Sequence, residues 1–278
     1  MYEVRDLSEI AFAKIAECMQ KAFSDYYVDM ELEEEALAQR FRSENVRYDL
    51  SCGVFDGDEL IALLLNAVGE YNGKKVAFDA ATGVVPEHRR KGLYSKMMEF
   101  CMSLLKQDDF AYYGLEVIQT NAPAVATYRK MGLEVVKEYA CFRGNARKSA
   151  QGTSSFREQP VSDFPLEQLE PLLYDAPSFE NRSEIIQEFP EEYCVMYSGT
   201  LKNCEAFILY QKNNGHVKQW GRTEGNLVKL GQLIVNHSRR FPEIRLHNIN
   251  FTDAALIEHL EELGFNHFCD QYEMSMSL

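Results

Sequence analysis

The chain has 278 residues, of which 46% are apolar and 26% are charged, so it can build one large domain or two ordinary ones. Its formal net charge of −14 argues against broad binding to nucleic acid or to an anionic membrane. Seven widely spaced cysteines without a CxxC pair argue against a disulfide framework or a zinc knuckle. They favour reduced thiols in a cytoplasmic protein, and neither a secretion signal nor a membrane span is predicted.

Apolar periodicity and turn signals predict ten elements in the first half, in the order β-α-α-β-β-β-α-β-α-β. Antiparallel early strands followed by a βαβ crossover indicate an α/β fold of the mixed α+β kind. The predicted elements cover residues 2–5, 9–23, 30–44, 50–56, 60–71, 73–86, 93–107, 111–119, 121–131 and 133–144.

The second half reads as a degenerate copy of the first. The order helix, glycine, strand occurs both in YRKMGLEVVKEYACF and in LEELGFNHFCDQYEM, which indicates an internal duplication. We predict domains at residues 1–145 and 156–278, joined by a polar linker at 146–155. The elements predicted in the second half cover residues 193–199, 205–211, 215–222, 226–241, 243–251, 253–265 and 266–278.

A basic loop precedes the helix predicted at residues 93–107. The stretch VVPEHRRKGLY (84–94) runs from a strand through three cations to Gly92 and into that helix. The free N–H groups of a helix start, a glycine and nearby cations together suit a phosphate. The alternative is a solvated charge run, because cations are mildly unfavourable at a helix start. No Walker loop and no GxGxxG fingerprint occurs.

Two motifs in the first half resemble the GNAT superfamily of acyl-CoA-dependent N-acyltransferases. Residues 84–94 match the V-x-P-x-x-[RQ]-x-x-G-x-[GA] pattern of that family, except that Tyr94 replaces Gly or Ala. Residues 121–133 (NAPAVATYRKMGL) match N-x-x-A-x-x-x-Y-x-K-x-G-[FL]. The resemblance implies tandem GNAT-like domains, each a mixed central sheet flanked by helices. The first would be a catalytic N-acetyltransferase domain with acetyl-CoA as co-substrate.

The resemblance also implies residue roles. Backbone N–H groups of residues 90–95 would hold the pyrophosphate, and splayed strands would pair with the pantetheine arm. Tyr128 would donate a proton to the departing thiolate, although an aromatic residue packing on the sheet is the alternative. Asn121 would bond to the cofactor, cap a helix, or do both. The implied cofactor-binding residues are Val84, Val85, Arg89, Arg90, Lys91, Gly92, Leu93, Tyr94, Ser95 and Asn121.

The acceptor must be a primary amine, either a small molecule or a lysine-like group, and its ammonium must first lose a proton. Asp79 and Glu116 are the candidate bases, with ordinary strand carboxylates as the alternative. The aromatic loop with Phe23, Tyr26 and Tyr27 either closes over the acceptor or packs into the core. A protein that binds acyl-CoA without turnover, as a sensor or a pseudo-enzyme, is the rival function.

The second half repeats no phosphate motif. GRTEGNLVKLG occupies the equivalent position, and Glu224 there would repel a phosphate, so no cofactor is expected. This half could stabilise the first, complete its acceptor pocket or form a homodimer. Its DAPSFENRSE segment is either a connector or a pocket wall. The six histidines form no ligand motif, so no metal site is predicted.

Overall fold

The computed structural model of the chain describes residues 2–25, 32–71, 73–147 and 155–278. Helices flank a mixed parallel and antiparallel sheet in both halves, which confirms the predicted fold class. Within the described segments, no helix combines the length and the apolarity that crossing a bilayer requires.

The first half follows the predicted order of elements. Its β2–β3 hairpin turns at Gly57, whose φ of +63° suits a residue without a Cβ. The elements are β1 (Tyr2–Asp6), α1 (Phe12–Ala22), α2 (Glu34–Ser43), β2 (Cys52–Asp56), β3 (Glu59–Tyr71), β4 (Lys74–Val84), α3 (Leu93–Gln107), β5 (Tyr112–Ile118), α4 (Ala122–Lys130) and β6 (Glu134–Gly144).

The second half contains two features that its sequence did not indicate. One is a polar edge strand, and the other is a series of short helical turns between residues 161 and 192. Its strands and α-helices are β7 (Phe156–Pro160), α5 (Ser183–Glu188), β8 (Tyr193–Thr200), β9 (Asn203–Gln211), β10 (Val217–Arg222), α6 (Leu227–Ser238), β11 (Ile244–Asn250), α7 (Ala254–Leu263) and β12 (Asn266–Ser277).

The chain forms two compact units, and neither is one continuous segment. The first unit is Met1–Glu116, Ala126–Glu134 and Met274–Leu278, and the second is Val117–Val125 and Val135–Glu273. The end of β12 therefore belongs to the first unit, whereas nearly all of β6 belongs to the second. The domain boundaries at residues 145 and 156 stay a prediction, and each compact unit takes a strand from beyond them.

The same connectivity occurs in both units. In the first, β1 to β4 pair antiparallel in chain order, β5 joins β4 in parallel, and the end of β12 follows. In the second, β7 to β10 are antiparallel, β11 joins β10 in parallel, and β6 and β12 follow. Gly132 and Gly264, with φ of +95° and +90°, end the two helices that precede β6 and β12.

Each unit has its own apolar core. In the first, Ile15 and Met19 of α1 and Phe41 of α2 pack on one face of β3 and β4. Helix α3 buries Met97 and Cys101 in the same unit. In the second, α6 and α7 pack on one group of apolar strand residues, and the turns between residues 161 and 192 pack on another.

Candidate active site

Strand β4 separates from β5 halfway along its length. The parallel pairing runs from Val76↔Tyr112 to Asp79↔Leu115 and is registered no further in the described residues. At the same point the register of β4 on β3 shifts by one residue, so that Ala80 forms a β-bulge. The Ala80 carbonyl accepts a hydrogen bond from Arg40 Nη2 of α2 at 3.1 Å. The last five residues of β4 therefore have an edge that β5 does not cover.

Arg89 anchors the loop between β4 and α3. Its guanidinium donates to both carboxylate oxygens of Asp25, at 2.7 and 2.6 Å, and to the Ala22 carbonyl at 2.9 Å. Its Nε donates to the Val84 carbonyl at 3.1 Å. The Arg89 side chain thus ties this loop to the end of α1. The guanidinium also holds the pKa of Asp25 below its usual range.

Helix α3 begins without a capping side chain. Gly92 is its N-cap, with a φ of +71°, and Arg90 has a φ of +61°. No backbone or side-chain acceptor within the described residues binds the N–H groups of residues 90–95. A Cβ built on Gly92 meets no atom within 4 Å, so the space in front of the helix is open. This arrangement presents several free donors and the positive end of a helix dipole to one open space.

The three cations of this loop have different surroundings. Arg89 has the partners given above. The Lys91 ammonium also has a partner, because it donates to Tyr2 Oη at 3.0 Å and lies 5.6 Å from the centre of the Tyr2 ring. The Arg90 side chain is exposed and has no partner within the described part of the chain. Arg90 is therefore the cation of this loop that can turn toward an anion without breaking a bond.

Asp79 is a buried carboxylate at the end of the β4–β5 pairing. Its residue is 7% exposed. The Thr82 hydroxyl donates to Oδ2 at 2.6 Å, whereas Oδ1 is buried and has no hydrogen-bond partner in the part of the chain that the structure describes. Burial raises the pKa of Asp79 to about 7, although the Thr82 bond acts in the opposite direction. Asp79 can therefore gain or lose a proton near neutral pH.

Tyrosine side chains lie close to Asp79. Burial raises the pKa of Tyr94 and of Tyr113 well above the ordinary value, and the negative charge of Asp79 adds to the shift. Both phenols therefore stay protonated at neutral pH. The half-buried Tyr128 of α4 packs edge-on against Tyr94, with ring centres 5.3 Å apart. Tyr94, which departs from the family pattern, thus contacts the predicted general acid directly.

Other predicted site residues form contacts within the protein itself. The Val85 N–H donates to the Ile61 carbonyl at 2.9 Å, and Leu93 is 2% exposed, so its side chain lies in the core. Asn121 caps α4, since its Oδ1 accepts from the Ala124 N–H at 3.4 Å. Glu116 lies on β5 directly after the last residue paired with β4 and is half-buried. The role of each in catalysis or cofactor binding stays a prediction.

Of the predicted acceptor loop, only Phe23 lies within the described residues. Tyr26 and Tyr27 fall outside them. Phe23 is half-buried and packs on Gly83 of β4, where an added Cβ would come within 2.8 Å of its ring. Phe23 therefore contributes to the core on the face of β4 that also contacts α1.

Two features of the site lie outside the sequence motifs. The bulge at Ala80 has no signal in the sequence, because alanine is compatible with a regular strand. Arg40, whose Nε also donates to Glu44 at 2.7 Å, reads as an ordinary residue of an exposed helix. Neither feature can be recognised in the sequence, because each is defined by contacts between separate elements of the fold.

A comparison with protein families finds one match by sequence, within the first half of the chain. Residues 12–133 match the model of the Acetyltransferase (GNAT) family. A comparison with curated proteins found no match.

Solved structures match the whole chain in fold. A protein from Pyrococcus horikoshii, described as a candidate acetyltransferase, has a TM-score of 0.73 at 13% identity, with 100% of this chain and 89% of that chain covered. A GCN5-related N-acetyltransferase from Sphaerobacter thermophilus has a TM-score of 0.69 at 12% identity, covering 99% and 95%. A tandem GNAT protein of the clavulanic acid biosynthesis pathway has a TM-score of 0.68 at 15% identity, covering 100% and 98%. At these identities the likeness concerns the fold, and it extends to both halves.

Proposed function

We propose that this chain transfers an acetyl group from acetyl-CoA to a primary amine, because residues 12–133 match the model of the Acetyltransferase (GNAT) family. The observation that carries the proposal is the start of α3. Its free N–H groups at residues 90–95, with a left-handed Gly92 and open space in front, fit a diphosphate. The buried carboxylate of Asp79 lies in the same unit, close to Tyr94 of that helix.

Some of the proposed cofactor residues donate hydrogen bonds to coenzyme A, and others hold the loop before α3 in place. The N–H groups of residues 90–95 bind the diphosphate, and the Arg90 side chain adds a charge. Arg89 and Lys91 hold the loop through Asp25 and Tyr2. The uncovered edge of β4 after Asp79 offers backbone groups to the amides of the pantetheine arm, as an added strand would. Asn121 orients the start of α4.

The reaction is a direct transfer. The thioester supplies an activated acetyl group: the neutral amine nitrogen forms a bond to the carbonyl carbon, the C–S bond breaks, the nitrogen releases one proton, and the thiolate takes up one proton. Tyr128 donates that proton, and its ring is held by Tyr94. A cysteine nucleophile is the poorer mechanism, since Cys101 is 0% exposed and packs against Cys52, with the two sulfurs 3.3 Å apart.

Asp79 is the better of the two candidate bases. Its pKa of about 7 lets it exist as a carboxylate at physiological pH and still accept a proton. Among the described residues its Oδ1 has no hydrogen-bond partner, so this oxygen can bind the ammonium directly or through a water. Glu116, on the neighbouring strand, is the second candidate.

The acceptor is a cationic amine, such as a polyamine, an aminoglycoside or a lysine side chain. A net charge of −14 draws cations toward the protein. Phe23, Tyr26 and Tyr27 are the proposed acceptor contacts. The proposed location is the cytoplasm, because the cysteines within the described residues are free thiols. A homodimer is compatible with this proposal.

An amine panel tests the function. Spermidine, kanamycin and a lysine peptide are each incubated with acetyl-CoA, and the released thiol is measured. We expect at least one amine to raise thiol release above hydrolysis. Coenzyme A binding without release for any amine would instead support the sensor function. Absence of both would refute the cofactor assignment.

A tyrosine pair tests the mechanism. Tyr128→Phe should lower kcat roughly 100-fold and leave coenzyme A affinity unchanged, because the lost hydroxyl acts on the leaving thiolate. Tyr71→Phe, at an exposed position near the end of β3, is the matched control and should behave like the wild type. Equal kcat for both variants would remove Tyr128 from the mechanism.

A further inference from the structure

The second unit contains a pocket of its own, where β10 and β11 separate. The two strands pair in parallel at a single registered position, Val217↔Leu246. After it, β10 shifts register before Gln219, and β11 does so at Asn248, which has a φ of +64°. The empty space of the pocket between the strands, together with adjoining open solvent, amounts to about 430 Å3.

This pocket does not suit coenzyme A. The end of β10 is closed by Arg222, which forms two hydrogen bonds of 2.8 and 2.7 Å with Asp253 at the start of α7. The backbone of Leu172 lies against Gly221, where an added Cβ would come within 2.5 Å of its carbonyl oxygen. An extended pantetheine arm would have to displace both contacts, whereas a small molecule would not.

Two side chains of the pocket wall, Ser178 and Lys218, have hydrogen-bond donors to spare. Ser178 is 2% exposed, and its hydroxyl accepts bonds from Asn181 Nδ2 at 3.1 Å and from Asn248 Nδ2 at 2.9 Å. Its own proton has no acceptor within the described residues. The Lys218 ammonium has one ion pair there, with Glu180 at a long 3.9 Å. A ligand that satisfies both must offer acceptor oxygens and a negative charge.

The acidic residues of the pocket wall are already neutralised. Asp253 is paired with Arg222, and Asp175 accepts from the Lys137 ammonium at 2.9 Å and from Asn250 Nδ2 at 2.6 Å. They therefore do not call for a cationic ligand. The rest of the wall includes Trp220, Ile249 and Pro177, which offer an apolar surface.

We propose that this pocket binds a small organic acid, with its carboxylate on Ser178 and Lys218 and its apolar body against Trp220. This proposal does not depend on the function of the first unit. It assigns to the second unit a ligand site of its own, separate from any role in supporting the first.

Tryptophan fluorescence reports on this pocket alone, because Trp220 is the single tryptophan of the chain. The full-length protein is titrated with benzoate, and with benzamide as the neutral probe of the same shape. We expect a saturable change in emission with benzoate, with a dissociation constant on the order of 1 mM, and a response to benzamide at least about tenfold weaker.

Three variants identify the contacts. Lys218→Met keeps the aliphatic stem and should weaken benzoate binding about tenfold, with little effect on benzamide. Ser178→Ala should weaken benzoate binding several-fold. Lys202→Met, in the exposed β8–β9 turn, is the matched control and should bind as the wild type does. Circular dichroism verifies that each variant is folded.

Three results would each overturn the proposal. They are no saturable response to benzoate, equal affinity for benzoate and benzamide, and unchanged benzoate affinity in folded Lys218→Met. Coenzyme A calorimetry on the same samples is a separate readout of the first unit, so failure of one proposal leaves the other intact.

Discussion

Replacing Asp79 with asparagine should increase stability at alkaline pH. The folded carboxyl has a pKa of about 7, against 3.8 for the ordinary group, so the folded protein holds this proton more tightly than the unfolded chain does. Stability from this group is therefore lost as pH rises from about 4 to about 7. With about 1.4 kcal/mol per pKa unit, the penalty is about 1.7 kcal/mol at pH 5 and about 4 kcal/mol at pH 8.

Asparagine removes this pH-dependent penalty and adds a constant one. Its amide places an unpaired N–H where Oδ1 was, which costs about 1–3 kcal/mol at every pH. The two effects separate in the pH dependence. The free energy of unfolding of Asp79→Asn, minus that of the wild type, should rise by about 2.5 kcal/mol between pH 5 and pH 8.

Urea unfolding at several pH values measures this difference. Asp58→Asn, in the exposed β2–β3 turn, is the matched control, because it removes an exposed carboxyl and keeps that of Asp79. A difference between Asp79→Asn and the wild type that does not change with pH would refute the buried, proton-binding carboxylate. The same variant should also lose the rise in kcat/KM through about pH 7 that a base with this pKa produces.

Three further variants test separate parts of the structure. Arg90→Gly replaces a residue that is strained at a positive φ, so the free energy of unfolding should rise by about 0.5–1 kcal/mol. Because the same change removes a charge near the proposed diphosphate site, calorimetry should show coenzyme A affinity falling about 2- to 5-fold. Met274→Ala should cost about 2–5 kcal/mol in urea unfolding, because Met274 is 0% exposed, while Ser277→Ala at the exposed end of β12 should cost almost nothing. Arg222→Met leaves the 3%-exposed carboxylate of Asp253 unpaired and should cost about 3–5 kcal/mol, and a loss below 1 kcal/mol would contradict this pairing.

Local sequence signals predicted most of the elements. Helix α3 ends at Gln107 as expected, and α7 begins where it was predicted, with the Asp253 carboxylate accepting from the Leu256 N–H. Glycines end the helices before β6 and β12 in the same left-handed conformation, in agreement with the duplication. These features depend on a few neighbouring residues, which is why a single sequence reveals them.

The sequence did not predict that most of β6 belongs to the second unit and that the end of β12 belongs to the first. Residues 133–144 and 266–278 read as strands, but nothing in an alternating pattern says which compact unit a strand joins. Strand β7 was missed because three of its five residues are polar and most are exposed, so they give no apolar periodicity. DAPSFENRSE read more readily as a connector, yet its Ser178 and Asn181 line a pocket.

The sequence predicted some features of the candidate site and not others. The free N–H groups before α3 follow from a local loop–glycine–helix order, and the sequence motif locates them. The cofactor-binding role of Arg89 stays a prediction, and the sequence did not indicate that its guanidinium binds Asp25, a partner brought close by α1. The raised pKa of Asp79 depends on burial among Tyr94 and Tyr113, which only the packed unit creates.

Coenzyme A calorimetry on a pair of glycine variants tests the central claim most directly. Gly92 and Gly57 have similar φ values, +71° and +63°, and a Cβ at either meets no atom within 4 Å, so glutamate strains both backbones alike. Only Gly92→Glu places a carboxylate and a side chain in front of α3. We predict that the wild type and Gly57→Glu bind coenzyme A and that Gly92→Glu does not. Undiminished binding in folded Gly92→Glu would contradict the assignment of the diphosphate to the start of α3.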